Sequence, residues 1–245
     1  MATEQYSDSM NNLNRFNFPH EFVSITAEQA EEYVDAASQR YTSSLPYHNW
    51  DHARDVIRGT ETITQKLSEN GVISAAGALA VAAAWHDAGY QENHITKGFL
   101  TKEDYSSFLL ESFLEGKPVG KYEKDVMLRA IKETWIGHKE LRTPTPLILH
   151  RADIANIGGP TEAFIENTKK LWAEEKFTSG DGNASWDQFI KKADYFVRFT
   201  SAEHDYESLS HGLDAHRTTL DVNDTPFGQA VDLNLEALRS LEPQD

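Results

Sequence analysis

The stretch from Val72 to Trp85 is the longest run of low polarity in the chain. It is rich in alanine and leads directly into His86-Asp87. It falls short of the roughly 18 apolar residues a membrane span needs, so it reads as a helix over Ala75 to Ala88, buried in a core, with Gly89 as its stop. An ionisable pair at the end of such a helix is costly to bury unless something compensates it. A metal ion does so. Helical neighbours point about 100° apart, so His86 and Asp87 reach one ion only if it lies between them. The other reading of His86 is a helix C-terminal histidine on the dipole, which leaves Asp87 at the wrong end.

The rest of the chain supplies further helices around that one. Thr26 to Gln29 forms a capping box and opens a helix to about Arg40. Asn49 caps the next, whose apolar positions Ala53, Val56, Ile57, Ile63 and Leu67 keep helical spacing and which Asn70-Gly71 ends. Thr101 to Asp104 starts a fourth helix, with Phe108, Leu109, Ser112 and Phe113 as its expected inner stripe. Val126, Leu128, Ile131 and Trp135 mark a fifth. Pro146 falls in the first turn of a sixth, which carries Asp153 and stops at Gly158-Gly159. Pro160 begins a seventh, with Phe164, Ile165 and Leu171 along it. After a Gly180 to Gly182 turn, Trp186 to His204 and then Phe227 to Leu241 complete the set. No strand run and no fixed repeat stands out. The expected class is all-α: a single-domain helical bundle over residues 19–245, preceded by a polar, disordered segment over residues 1–18.

Composition excludes several classes. With 245 residues, 39% of them hydrophobic and spread in periodic runs, the chain is globular rather than disordered. It has no cysteine, which removes disulfides, thiolate zinc sites and cysteine nucleophiles and fits a cytoplasmic location. The N-terminus shows neither a basic n-region nor an apolar h-region, so no signal peptide is expected. A formal net charge of −16 repels nucleic-acid polymers, which are bound through Lys and Arg. A small anionic substrate stays compatible with it, because a local metal ion outweighs the global field.

Two further positions join His86 and Asp87 as candidate ligands. His52 lies four residues after His48, one helical turn away, beside Trp50. Asp153 is the acidic group of an otherwise small and apolar helix face, Leu149 to Ile157. Alone it would read as a solvated carboxylate; as a fourth ligand it supplies the charge the other three lack. Two imidazoles and two carboxylates leave about two octahedral positions open for water and substrate. Trp50, Trp135 and Phe164 read as core residues rather than base-stacking platforms. His20, His204, His211 and His216 have nothing convergent around them.

This H…HD…D order in an all-helical setting resembles the HD superfamily of metal-dependent phosphohydrolases, over about Tyr47 to Gly158. Trp85 to Tyr90 and Ala152 to Gly158 are similar to its small stand-alone bacterial members. The resemblance implies His52, His86, Asp87 and Asp153 as ligands of a divalent ion (manganese, iron, magnesium or zinc). It implies Glu103 as the acidic residue that orients water, and His138, after Thr134-Trp-Ile-Gly, as a substrate contact. Arg151 and Lys139 would balance phosphate charge. Tyr47 to Val56 and His150 to Asp153 are also similar to signatures of cyclic-nucleotide phosphodiesterases, a likeness that implies His48 as the general acid. The chain departs from those enzymes after Asp87, where Ala88-Gly-Tyr-Gln91 replaces a further histidine and Pro-Gly, and no purine-reading glutamine is assigned. Some relatives hold two irons through two more histidines; His94 and His138 are the candidates here. The seven-residue step from Asp87 to His94 is short for a ligand on a separate helix and favours one firmly held ion.

The expected function is a metal-dependent phosphohydrolase acting on a small, nucleotide-like phosphoester. The alternatives are a cyclic-nucleotide phosphodiesterase, an iron-dependent oxygenase on the same scaffold, and a ligand-binding module without turnover. The expected partner is a small phosphorylated substrate, with no nucleic-acid polymer and no membrane; homodimerisation is left open.

Overall fold

Nine α-helices and no strand occur among the described residues, which in this computed structural model are 25–41, 44–68, 76–136, 142–179, 185–210 and 227–241. The helices are α1 (Ala27–Ser38), α2 (Trp50–Ser68), α3 (Ala76–Trp85), α4 (Lys102–Phe113), α5 (Lys121–Lys132), α6 (Pro144–Asp153), α7 (Thr161–Ser179), α8 (Trp186–Ser210) and α9 (Phe227–Arg239). Short 3₁₀ turns follow α3 (Ala88–Gln91) and α6 (Ile154–Gly158). The expected N-terminal segment over 1–18, the Asn70-Gly71 stop and the Gly180 to Gly182 turn lie outside the described residues. No described helix is long and apolar enough to cross a membrane.

The residues group into two compact units. Among the described residues, one runs to Asp153 without Leu45–Tyr47; the other holds Leu45–Tyr47 and the described residues from Ile154 onward.

The first unit is built around α3. Ala78, Leu79, Val81, Ala82, Ala83, Ala84 and Trp85 are all buried, and α1, α2 and α5 pack against this helix. Its methyl side chains give up almost no rotamer entropy on burial. Trp85 ties α3 to α1 by donating its indole N–H to the Tyr33 carbonyl at 2.9 Å. On α2 the buried face is Ala53, Val56, Thr60, Ile63, Thr64 and Leu67. The two threonines bury their hydroxyls without loss because each donates to the carbonyl four residues back, at 2.8 and 2.7 Å. Leu147, Ile148 and Leu149 anchor α6, each fully buried and worth about 1.5–3 kcal/mol on leaving water.

Two expected inner faces are corrected. On α4 the buried residues are Tyr105, Ser106, Ser107 and Leu110, while Phe108 is exposed and lies on Phe99 and Tyr105. On α5 they are Glu123, Met127, Ala130 and Ile131, and Trp135 lies beyond the helix, 43% exposed. In each case a polar residue sits inside because the backbone uses it. Ser106 Oγ accepts the Gly89 N–H at 2.9 Å, Ser107 Oγ donates to the Leu128 carbonyl, and Glu123 accepts the Gly120 N–H at 3.1 Å.

The second unit has its own core of Ile154, Ile157, Phe164, Val197, Phe227, Val231, Leu235 and Leu238. The Asn234 amide donates to the carbonyls of Ile157 and Gly159 at 2.9 and 3.0 Å and fixes the turn after α6. Gly158 is needed in that turn, since a Cβ there would stand 2.4 Å from the Phe227 ring. His204 is fully buried in this unit, stacked on Phe227 with centroids 4.0 Å apart.

Candidate metal centre

The helix before His86-Asp87 ends earlier than its sequence suggests. α3 stops at Trp85, and His86 and Asp87 form a turn outside it. The cause is side-chain capture of the last carbonyls. His86 Nδ1 lies 2.7 Å from the Ala83 carbonyl, and the Tyr41 hydroxyl donates to the Ala84 carbonyl at 2.8 Å. The same hydroxyl accepts the Asp87 N–H at 3.3 Å. Asp87 thereby takes φ −107°, ψ 10°, off the helical path. The expected 100° divergence of the two side chains disappears, and His86 Nε2 comes within 3.0 Å of Asp87 Oδ2.

His52 reaches the same point from the first turn of α2. The Asn49 side chain accepts the backbone N–H groups of Asp51 and His52 at 2.9 and 3.3 Å, fixing where that turn begins. His52 Nε2 then lies 3.3 Å from both Asp87 Oδ2 and Asp153 Oδ1. Asp153, the last residue of α6, also places Oδ1 3.4 Å from His86 Nε2. Three separate segments therefore bring two imidazoles and two carboxylates to one point.

The residues fit a metal ion. His52, His86 and Asp87 each offer a ligand atom, all within 4.8 Å of one another. An ion with bonds of about 2.1 Å sets adjacent ligand atoms about 3.0 Å apart in octahedral and about 3.4 Å apart in tetrahedral geometry. The four observed separations, 3.0 to 3.4 Å, fall in that interval. A carbonyl only accepts, so His86 Nδ1 must carry the proton it shares with Ala83, and Nε2 faces the carboxylates. His86 Nε2 and Asp87 Oδ2 are both buried without a hydrogen-bond partner. A cation between them removes that deficit.

Without a cation, protons take its place. Burial opposes charge on His52, but the Asp153 and Asp87 carboxylates outweigh it and push the imidazole from 6.5 up to about 9. Burial opposes charge on His86 too, and Asp87 and Asp153 again prevail, so it lies well above its ordinary value. Burial works against ionised carboxylates, yet the neighbouring imidazoles, His86 first and then His52, hold Asp87 and Asp153 below the usual range. A raised imidazole stabilises the fold fully below 6.5 and loses that contribution as pH climbs through about 9. The chelator-treated chain should therefore melt at falling temperature across that interval, and the manganese-loaded chain should not. Metal affinity should rise over the same interval, by up to about tenfold per pH unit for each proton displaced. Melting curves and titration calorimetry check both; a pH-independent affinity contradicts the assignment.

The other expected site residues fall as follows. His48 lies beside the cluster, its ring 6.0 Å from that of His52 and nearly perpendicular to it. Glu103, in the first turn of α4, is half-buried. Burial, joined by the Asp87 and Asp153 charges, raises its carboxyl. Arg151 is buried, two residues before Asp153. His94 sits in the 94–98 turn and is not part of the grouped ligand atoms. His138 and Lys139 lie outside the described residues. Sequence reasoning missed Tyr41, whose hydroxyl shapes the turn; 46 residues separate it from Asp87, and no local pattern marks it.

No family model matches the chain, and no curated protein does. Among solved structures, the phosphodiesterase domain of Salpingoeca rosetta rhodopsin phosphodiesterase is similar, with a TM-score of 0.61 at 15% sequence identity, over 97% of this chain and 85% of that one. At that identity the likeness shows the fold: this chain has the all-helical fold of a phosphodiesterase domain and, within it, a His/Asp cluster that fits a metal ion.

Proposed function

We propose that the chain is an HD-type, metal-dependent phosphohydrolase that cleaves a small, nucleotide-like phosphoester. The observation that carries this reading is the meeting of His52, His86 and Asp87, whose ligand atoms lie within 4.8 Å of one another, with Asp153 Oδ1 3.3 and 3.4 Å from the two imidazoles. When bound, a divalent ion would lower the pKa of a water molecule and polarise the phosphoryl group. His52 and His86 offer Nε2, and Asp87 and Asp153 offer one oxygen each. Glu103, its carboxyl raised by burial, orients the attacking water and takes up its proton. The water oxygen bonds to phosphorus while the bond to the leaving oxygen breaks with its electron pair. That oxygen takes a proton from His48.

A second reading, cyclic-nucleotide phosphodiesterase, is favoured by the likeness of Tyr47 to Val56 and His150 to Asp153 to the signatures of those enzymes, and the solved neighbour is a phosphodiesterase domain. A panel of nucleoside monophosphates, cyclic nucleotides and p-nitrophenyl mono- and diesters separates the two. Hydrolysis that EDTA removes and manganese restores is the expected result. Oxygen consumption with two irons per chain would favour the oxygenase instead, and thermal stabilisation by a nucleotide without product would favour a binding module.

A further inference from the structure

The 3₁₀ turn after Asp87 holds more than a metal ligand. Tyr90 donates its backbone N–H to the Asp87 carbonyl at 3.0 Å, so its position is tied to that of Asp87. Its ring stacks on the His48 imidazole with centroids 3.9 Å apart and planes 27° apart. The Lys102 ammonium lies over the Tyr90 ring, 3.8 Å from its centroid. The next residue, Gln91, donates its side-chain amide to the His48 carbonyl at 2.8 Å. Both the ring and the backbone of His48 are thus held by two consecutive residues of the turn that begins at Asp87.

Two consequences follow from chemistry. A solvent-facing imidazole ordinarily samples several rotamers, and a proton donor works only within hydrogen-bond reach of its acceptor. A flat stacking partner removes tilting and flipping out of plane while leaving both ring nitrogens at the edge. The Tyr90 ring also has a partner for its faces in His48 and Lys102, so it is unsuited to stacking a nucleobase.

We propose that Tyr90, assisted by Gln91, is a positioning residue that sets the His48 imidazole at a fixed distance from the Asp87 end of the metal centre. This rests on the hydrolytic reading above, in which His48 protonates the leaving oxygen. A p-nitrophenolate leaves without a proton; an alkoxide does not. Tyr90→Leu should therefore lower kcat/KM for an alkyl phosphoester about 10- to 100-fold while changing that for the p-nitrophenyl ester less than about threefold. Tyr90→Phe keeps the ring and should retain the wild-type ratio. Gln91→Met should shift the ratio in the same direction by less, and it serves if Tyr90→Leu does not fold. Equal loss on both esters, or no change in the ratio, overturns the proposal.

A second readout needs no turnover. The Cε1–H resonance of His48 should show an upfield ring-current shift in the wild type and Tyr90→Phe, and lose it in Tyr90→Leu. If the wild type hydrolyses neither ester, the hydrolytic reading fails while this resonance still decides whether Tyr90 holds the ring. An unmoved His48 resonance in Tyr90→Leu overturns the proposal on its own.

Discussion

Asp87→Ala is expected to remove bound metal and hydrolysis together. Asp87 Oδ2 reaches both imidazoles, lying 3.0 Å from His86 Nε2 and 3.3 Å from His52 Nε2. Without it, two imidazoles and one carboxylate remain, and His86 loses its nearest counter-charge. Loss of metal-assisted stabilisation, several kcal/mol of transition-state energy, corresponds to a fall in kcat/KM of about 10³-fold or more. Metal content by mass spectrometry and turnover of the best ester should fall in parallel. Asp87→Asn preserves shape without charge and separates the loss of a ligand from the loss of the turn. Turnover unchanged in Asp87→Ala would leave the hydrolytic reading without its centre.

Gly89→Ala should produce a large loss of stability from adding one carbon. A Cβ at residue 89 would stand 2.8 Å from the Lys102 carbonyl oxygen, 2.9 Å from the Ser106 backbone nitrogen and 2.9 Å from Ser106 Oγ. Two of these are backbone atoms of α4, and no rotamer moves them. The turn and α4 must separate, and the buried Gly89 N–H to Ser106 Oγ bond at 2.9 Å is lost with them. Overpacking and an unmet buried donor together cost about 2–4 kcal/mol, or about 5–15 °C in Tm for a chain of this size. Gly98→Ala is the control. Gly98 has φ +87° but open space around it, so only the left-handed conformation is penalised, at about 1 kcal/mol. Melting temperatures that fall equally in the two variants would contradict the close-approach argument.

The parts of this architecture that depend on neighbours in sequence were readable from it. The Thr26/Gln29 capping box closes as expected, with bonds of 2.8 and 3.1 Å. Asn49 caps α2, and all nine expected helices are present among the described residues. The separated imidazoles and carboxylates could be chosen because each stands beside an apolar helical run. What depends on distant partners was not readable. α3 ends three residues short of Ala88, because the phenol that takes the Ala84 carbonyl comes from Tyr41. On α4 apolar spacing favours Phe108 for the inner face, whereas Ser106 is inside to meet Gly89. The stack of Lys102, Tyr90 and His48 joins three segments whose order in the chain carries no sign of it.

One consequence of the alanine-walled α3 concerns how such a chain can change over evolutionary time. A methyl group has no alternative rotamer. Enlarging Ala82, Ala83 or Ala84, all with no exposed surface, would pass the displacement straight into the backbone that ends at His86. A lineage that retains the cluster must keep this helix small. Ile95 and Leu100, 63% and 89% exposed, face no such restriction, so diversification in this part of the chain is expected to accumulate on the outward segment after the turn.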